Sequence, residues 1–170
     1  MGAGKVLCIL GGIISIVSTF ILSWISLDIG GTDYFAYGIG VVKNLMNMFT
    51  DAETLGTTLG IPGFAIYIIA VILIIFLISG IFQIIGVKSR AMAIIGSIFV
   101  ILVGVLIFLG AFNVVDAPAW VENIFGDSEP LVEGIIPFDL PLGPVSLGTY
   151  ILLAGGVLGL IGGIIGPESY

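Results

Sequence analysis

The sequence contains no histidine, one cysteine and only four cations in 170 residues. Each scarcity closes off a class of protein. Without histidine, the commonest ligand of zinc, copper, haem and non-haem iron is missing, and so is the usual proton shuttle near neutral pH. The single Cys8 rules out an intrachain disulfide, so no outer loop can be stapled covalently. It lies near one end of an apolar run, where it reads as a small buried apolar side chain, with reversible acylation as the alternative. No HExxH, GxSxG or phosphate-cradling loop occurs. Gly2-Ala-Gly4-Lys5 lacks the spacing and preceding strand of a P-loop, and Val6 stands where a myristoylation signal needs serine or threonine. No catalytic residue, cofactor or metal ligand is expected, and the chain does not read as an enzyme.

Charge is missing above all from four long apolar runs, residues 6–26, 61–86, 91–113 and 147–166. Each has about the 20 residues that a helix needs to cross a bilayer core. With a mean hydropathy of +1.32 the chain lies outside the soluble globular range. The expected fold is an all-α integral membrane protein, a four-helix bundle forming a single domain over residues 1–170. Its two longer connections, 27–60 and 114–146, are acidic and apolar and carry short interfacial helices. The first run is longer than a signal-peptide core, and Ser23-Trp24-Ile25-Ser26 lacks an A-x-A-like cleavage site, so it reads as a retained helix.

The net charge of −7 becomes informative once it is placed. Lys5 precedes the first run, and Lys88 and Arg90 separate the second from the third. The two long connections hold Asp28, Asp33, Asp51 and Glu53 against Lys43, then Asp116, Glu122, Asp127, Glu129, Glu133 and Asp139 with no cation. Cations near span ends favour the cytoplasmic side. Lys5, Lys88 and Arg90 are therefore the topology anchors, with both termini inside and both long connections outside in the cell membrane. An acidic outer face argues against nucleic acid as a partner. Asp127, Glu129 and Glu133 beside Asp116 and Glu122 do not match an EF-hand loop and read as a solvated rim.

Glycine is plentiful, with 26 residues. Gly155, Gly159 and Gly163 form an i, i+4, i+8 row in the fourth run, and Gly162 with Gly166 makes a second small-xxx-small pair. Such stripes are close-packing surfaces, because in lipid dispersion contacts replace the hydrophobic drive. Whether this stripe meets its own bundle or another subunit stays open. Pro167 ends the run. Gln83, the one strongly polar side chain of the second run, reads as an amide snorkelling to the interface near Lys88.

In the first connection, Val42, Leu45, Met46 and Phe49 recur at helical spacing. They predict an amphipathic helix over about 40–51, lying on the membrane surface or capping the bundle. The aromatic stretch 33–38 reads as a short strand or an interfacial anchor. In the second, Pro118 opens a short helix ending near Gly126, with Trp120, Val121, Ile124 and Phe125 on one face. Prolines at 137, 141 and 144 predict an extended segment over 134–145. Its apolar side chains need a partner surface, so Trp120, Phe125, Ile135, Ile136 and Phe138 are the expected outer contacts.

The run Gly12-Ile-Ile-Ser-Ile-Val-Ser-Thr-Phe-Ile-Leu-Ser-Trp24 resembles the end of the first helix in the claudin and peripheral myelin protein family. There a similar stretch leads to a tryptophan at the outer surface. Gly38-Ile39-Gly40 falls where that family carries Gly-Leu-Trp, but without the tryptophan, and the paired cysteines are absent. The resemblance implies an outer β-like layer and lateral assembly of subunits, with no catalytic residues to carry over. The expected function is lateral assembly, as a homo-oligomer or as an accessory subunit of a larger membrane complex in contact with lipid. The alternative is an oligomeric, cation-preferring channel or transporter entered through the acidic outer loops.

Overall fold

The computed structural model describes residues 2–111 and 117–166. Along the chain run α1 (Ala3–Phe20), β1 (Ile25–Ile29), β2 (Thr32–Ala36), α2 (Gly38–Thr50), α3 (Ala52–Leu59), α4 (Gly63–Ile85) and α5 (Arg90–Ala111). Then come α6 (Ala117–Trp120), which passes into one π-helical turn (Val121–Phe125), β3 (Gly126–Asp127) and α7 (Leu147–Ile165). The sequence-based third span runs to Asn113, and Asn113, Asp116 and Pro167 lie outside the described residues.

α1, α4, α5 and α7, of 18, 23, 22 and 19 residues, are each long and apolar enough to cross a membrane. Only 33–44% of each is buried inside the molecule. Ile13, Val17, Ile68, Ile74, Leu102, Leu109, Val157 and Ile161 point outward, a surface that only hydrocarbon can cover at low cost. β-branched residues that would favour strand in water are helical here because lipid leaves the backbone no other way to satisfy its polar groups. The chain is a multi-pass membrane protein.

The four helices form a ring in which α1 packs on α7, α7 on α5, α5 on α4 and α4 back on α1. The α1/α7 edge is thus opposite the α4/α5 edge. Among the described residues, Lys5, Lys88 and Arg90 gather at one end of the bundle. All other charges lie at the opposite end, where β1–β3, α2, α3, α6 and the 128–146 segment form a cap.

The two ends pack differently. Toward the cap a continuous core of large side chains, including Trp24, Met48, Ile66, Leu73, Phe76 and Ile124, joins cap to bundle. Toward the cationic end the buried residues of α1 and α5 are small, namely Gly4, Cys8, Gly11, Gly12 and Ser15 on α1 and Ala93, Gly96 and Ser97 on α5. Arg90 closes that end. Its Nε donates to the Gly163 carbonyl at 3.1 Å and Nη2 to Ile164 at 2.5 Å, satisfying carbonyls that the last turn of α7 leaves free. Its charge also complements the negative end of that helix.

A three-stranded antiparallel sheet in the order β1-β2-β3 stands in the cap, an addition to the all-α expectation. Gly30 and Gly31, with φ of 64° and 85°, make the two-residue turn between β1 and β2, a conformation that costs other residues energy. The Gly31 amide donates to Asp28 Oδ1 at 2.7 Å. β2 pairs onward through Phe35 opposite Asp127 and Ala36 opposite Gly126.

α2 covers the predicted amphipathic helix, but it docks through Val41 and Met48, which are fully buried. Val42, Met46 and Phe49 of the expected apolar face stay exposed, and Phe49 lies 6.2 Å from Tyr67 on α4. The apolar stripe therefore continues the lipid-facing surface of α4, and the bundle contact falls to the neighbouring face of the helix.

Candidate functional site

Three features outside ordinary core packing stand out, and the first is the seam between α1 and α7. A Cβ built on Gly11 would sit 2.5 Å from the Gly159 nitrogen and 2.8 Å from its Cα. One on Gly155 would meet Ser15 Oγ at 2.7 Å, and one on Gly162 the Cys8 nitrogen at 2.7 Å. Backbone thus touches backbone along the seam, the arrangement by which membrane helices gain dispersion energy. Gly163 faces Ala93 and Ile94 of α5, while Gly166 lies against the Arg90 side chain. The whole stripe is used inside the chain.

Gln83 requires a correction. It does not snorkel to the interface but is completely buried. Ser15 Oγ donates to its Oε1 at 3.0 Å, and its Nε2 has no hydrogen-bond partner. The missing Cβ of Gly159 makes the room, since that atom would lie 2.7 Å from Gln83 Cδ and 2.6 Å from Ser97 Oγ. Hydropathy alone placed the amide near Lys88. Its position on the inward face of α4, in line with buried Phe76, Ser79 and Gly80, is what carries it inside.

The second feature ties cap to bundle. Trp24 is fully buried, its Nε1 donates to the Ser18 carbonyl at 2.9 Å, and its ring meets Phe76 edge-on at 5.5 Å. Its backbone oxygen accepts from Thr149 Oγ1 at 2.6 Å and from the Ser146 amide at 2.8 Å. One residue therefore connects α1, the cap and the start of α7.

Nearby, Lys43 forms an ion pair with Asp127 and also donates to the Glu129 carbonyl at 3.4 Å. Asp127 Oδ1 accepts from the Glu129 amide at 3.0 Å, and Asn44 Nδ2 donates to the Gly126 carbonyl at 2.9 Å. Asp127 is thus engaged in the cap and does not belong to a solvated acidic rim. Among the described residues no three carboxylates converge on a common point.

Both titratable partners of Asp127 hold their protons more tightly than usual. Burial, then the Asp127 charge, push Tyr37 above the ordinary 10.0, against smaller opposing effects of Lys43 and the Leu131 amide. The hydrogen bond to Asp127 leads in raising Lys43 above 10.5. For both groups the folded-state value exceeds the unfolded one. The stability they contribute is complete below about pH 10 and is lost as pH rises through the folded values. Alkaline titration followed by tyrosinate absorbance should show a Tyr37 step above its ordinary 10.0, together with loss of cap structure. In Tyr37→Phe that late step should vanish.

The third feature is the 131–142 segment. It lies along the α1/α7 edge, where the Phe138 amide donates to Ile21 at 2.8 Å and the Ser23 amide to the Phe138 carbonyl at 3.0 Å. The Leu147 amide donates to Leu140 at 2.9 Å, and the Tyr150 hydroxyl to Leu142 at 3.2 Å. With its backbone anchored there, the segment leaves Leu131, Ile135, Phe138, Leu140 and Leu142 exposed, Ile135 by 62%. Ile136 is half-buried.

Phe125, expected to face a partner, is instead buried in the core, with half-buried Trp120 stacked on it at 6.1 Å. The π-helical turn rotates it toward Ile25 and Ala36. Cys8 is buried against Gly162.

Together these features define a capped four-span membrane bundle in which the tight seam is internal and an apolar flank remains uncovered. In comparison with known proteins, no family model, no curated protein and no solved structure matches this chain.

Proposed function

We propose that this is a non-enzymatic protein of the cell membrane that works by lateral association, with its cationic end in the cytoplasm and its cap outside. The orientation rests on Lys5, Lys88 and Arg90 at one end. The observation that carries the function is the exposed apolar flank Leu131, Ile135, Phe138, Leu140 and Leu142, anchored at Phe138 and Leu140 by main-chain hydrogen bonds to Ile21, Ser23 and Leu147 at the ends of α1 and α7. A rigidly held apolar flank loses little conformational entropy when a neighbour covers it, which favours association. Its partner is a second copy or another membrane subunit, and the small sheet beside it agrees with the outer layer of claudin-like proteins. A cation path through one bundle is disfavoured, because the fully buried Gln83 of α4 sits among Ser15 of α1, Gly159 of α7 and Ser97 of α5 and fills the centre of the ring.

The test is native mass after extraction from the protein's own membrane in a mild, lipid-preserving detergent. The expected species contains more than one polypeptide, with a mass above the 17.7 kDa of a single chain after bound lipid and detergent are subtracted. The double variant Ile135→Ser and Phe138→Ser should shift it to monomer while leaving thermal stability within about 0.5 kcal/mol, as surface substitutions do. A monomeric wild type, or an unchanged mass in the double variant, would overturn the proposal.

A further inference from the structure

We propose that a groove between α4 and α5, at the capped end, holds one acyl chain of a membrane lipid. Ile69 and Leu73 on α4 and Val103 and Leu106 on α5 form its walls, and Trp120 and Phe125 roof it. Among the described residues, no hydroxyl, amide or charged side chain lines it.

Depth selects the occupant. The walls belong to spanning helices, and the adjacent outward residues Ile68, Leu102 and Leu109 are exposed on the hydrocarbon-facing surface. The groove is therefore continuous with the lipid interface. Leu106 at its mouth is exposed and Ile69 half-buried, so a chain can enter sideways from the adjoining leaflet without separating the helices. Water would find no polar partner among the described lining residues, and an apolar cavity of even ~150 Å3 stays dry and accepts hydrocarbon.

Size narrows the choice further. At about 250 Å3 the groove accommodates part of an acyl chain but not a whole lipid. Trp120 at its roof is the residue type that settles at headgroup level, leaving the headgroup outside. The packing difference between the two ends explains why the groove is here. α5 approaches α4 closely near the cationic end, where a Cβ on Gly96 would lie 2.6 Å from the Ser79 carbonyl oxygen. At the capped end the two helices are lined by branched side chains instead. Because the groove is on the edge opposite the 131–142 flank, it stands independently of the assembly proposal.

The full chain in nanodiscs containing a few per cent of a phosphatidylcholine with a diazirine in mid-chain is irradiated, and the crosslinks are mapped. In parallel, native mass spectrometry counts the lipids retained after stepwise delipidation in detergent. The expected results are crosslinks concentrated on Ile69, Leu73, Val103 and Leu106, and one lipid retained per chain. Val103→Phe fills the groove from within and Leu106→Trp blocks its mouth. Each should lower retention at least tenfold, while Leu109→Trp on the neighbouring outward face should leave it unchanged. If Val103→Phe fails to fold, the exposed Leu106 position decides. Crosslinks spread evenly over Ile68, Leu102 and Leu109, or undiminished retention in Leu106→Trp, would overturn the assignment.

Discussion

Leucine in place of Gly11 is expected to destabilise the protein by ~3 kcal/mol or more, the upper end of what overpacking usually costs. The reason is the neighbour it would strike. A new Cβ would lie 2.5 Å from the backbone nitrogen of Gly159, and backbone cannot swing aside as a flexible side chain can. The helices must separate, losing the close dispersion contacts along the α1/α7 seam, which looser lipid chains replace only in part. Gly159→Leu should behave in the same way, because it would also collide with Gln83 and Ser97. Val17→Leu, on the outward face of α1, serves as the control. Thermal unfolding in detergent measures all three. Unchanged melting in both glycine variants would mean that the seam contributes nothing to the fold.

Trp24→Ala should cost ~3–5 kcal/mol, the range for truncating a large buried aromatic residue. Part of the loss is the cavity beside Phe76, and part is the indole hydrogen bond to Ser18. Trp24→Phe should recover about half, since it refills most of the volume but leaves the Ser18 carbonyl without its donor. The effect should extend beyond the site, because the backbone of Trp24 also receives Thr149 and Ser146 at the start of α7. Hydrogen exchange in Trp24→Ala is expected to rise in β1, β2 and the first turn of α7 together. An increase confined to residues beside position 24 would show that cap and bundle are not coupled through this residue.

These two positions were unequally visible beforehand. The glycine row at 155, 159 and 163 is a pattern in one dimension, readable because close helix packing requires small residues at a fixed spacing. Its partner on α1, Gly11, is identified only by the contact itself. Trp24 was noticed as the end of a motif, but neither its burial nor its bonds to the start of α7 are local properties. The hairpin at Gly30-Gly31 had a readable signal, paired glycines between two β-prone stretches. Its second arm coincides with the aromatic stretch 33–38 that reads as a short strand, and β2 runs over Thr32–Ala36.

Two errors share one cause. Gln83 was placed by its distance from Lys88, and Phe125 by its position in an apolar outer loop. Each was assigned from depth along the chain, whereas rotation about a helix axis decided its surroundings. α2 makes the same point, since Val41, Leu45 and Met48 pack inward while Val42, Met46 and Phe49 of the expected face stay exposed.

Composition and order along the chain were sufficient for the four spans, because a bilayer leaves the backbone only the helix and makes a charge inside it prohibitive. They also sufficed for the clustering of Lys5, Lys88 and Arg90, since alternating spans bring those positions to one end. The ring order of the helices and the internal use of the glycine stripe came only with tertiary structure. So did the burial of Gln83, the pairing of β2 with both β1 and β3, and the groove between α4 and α5. All of these depend on which helix faces meet, and contact energies between distant segments settle that; neither hydropathy nor residue spacing encodes it.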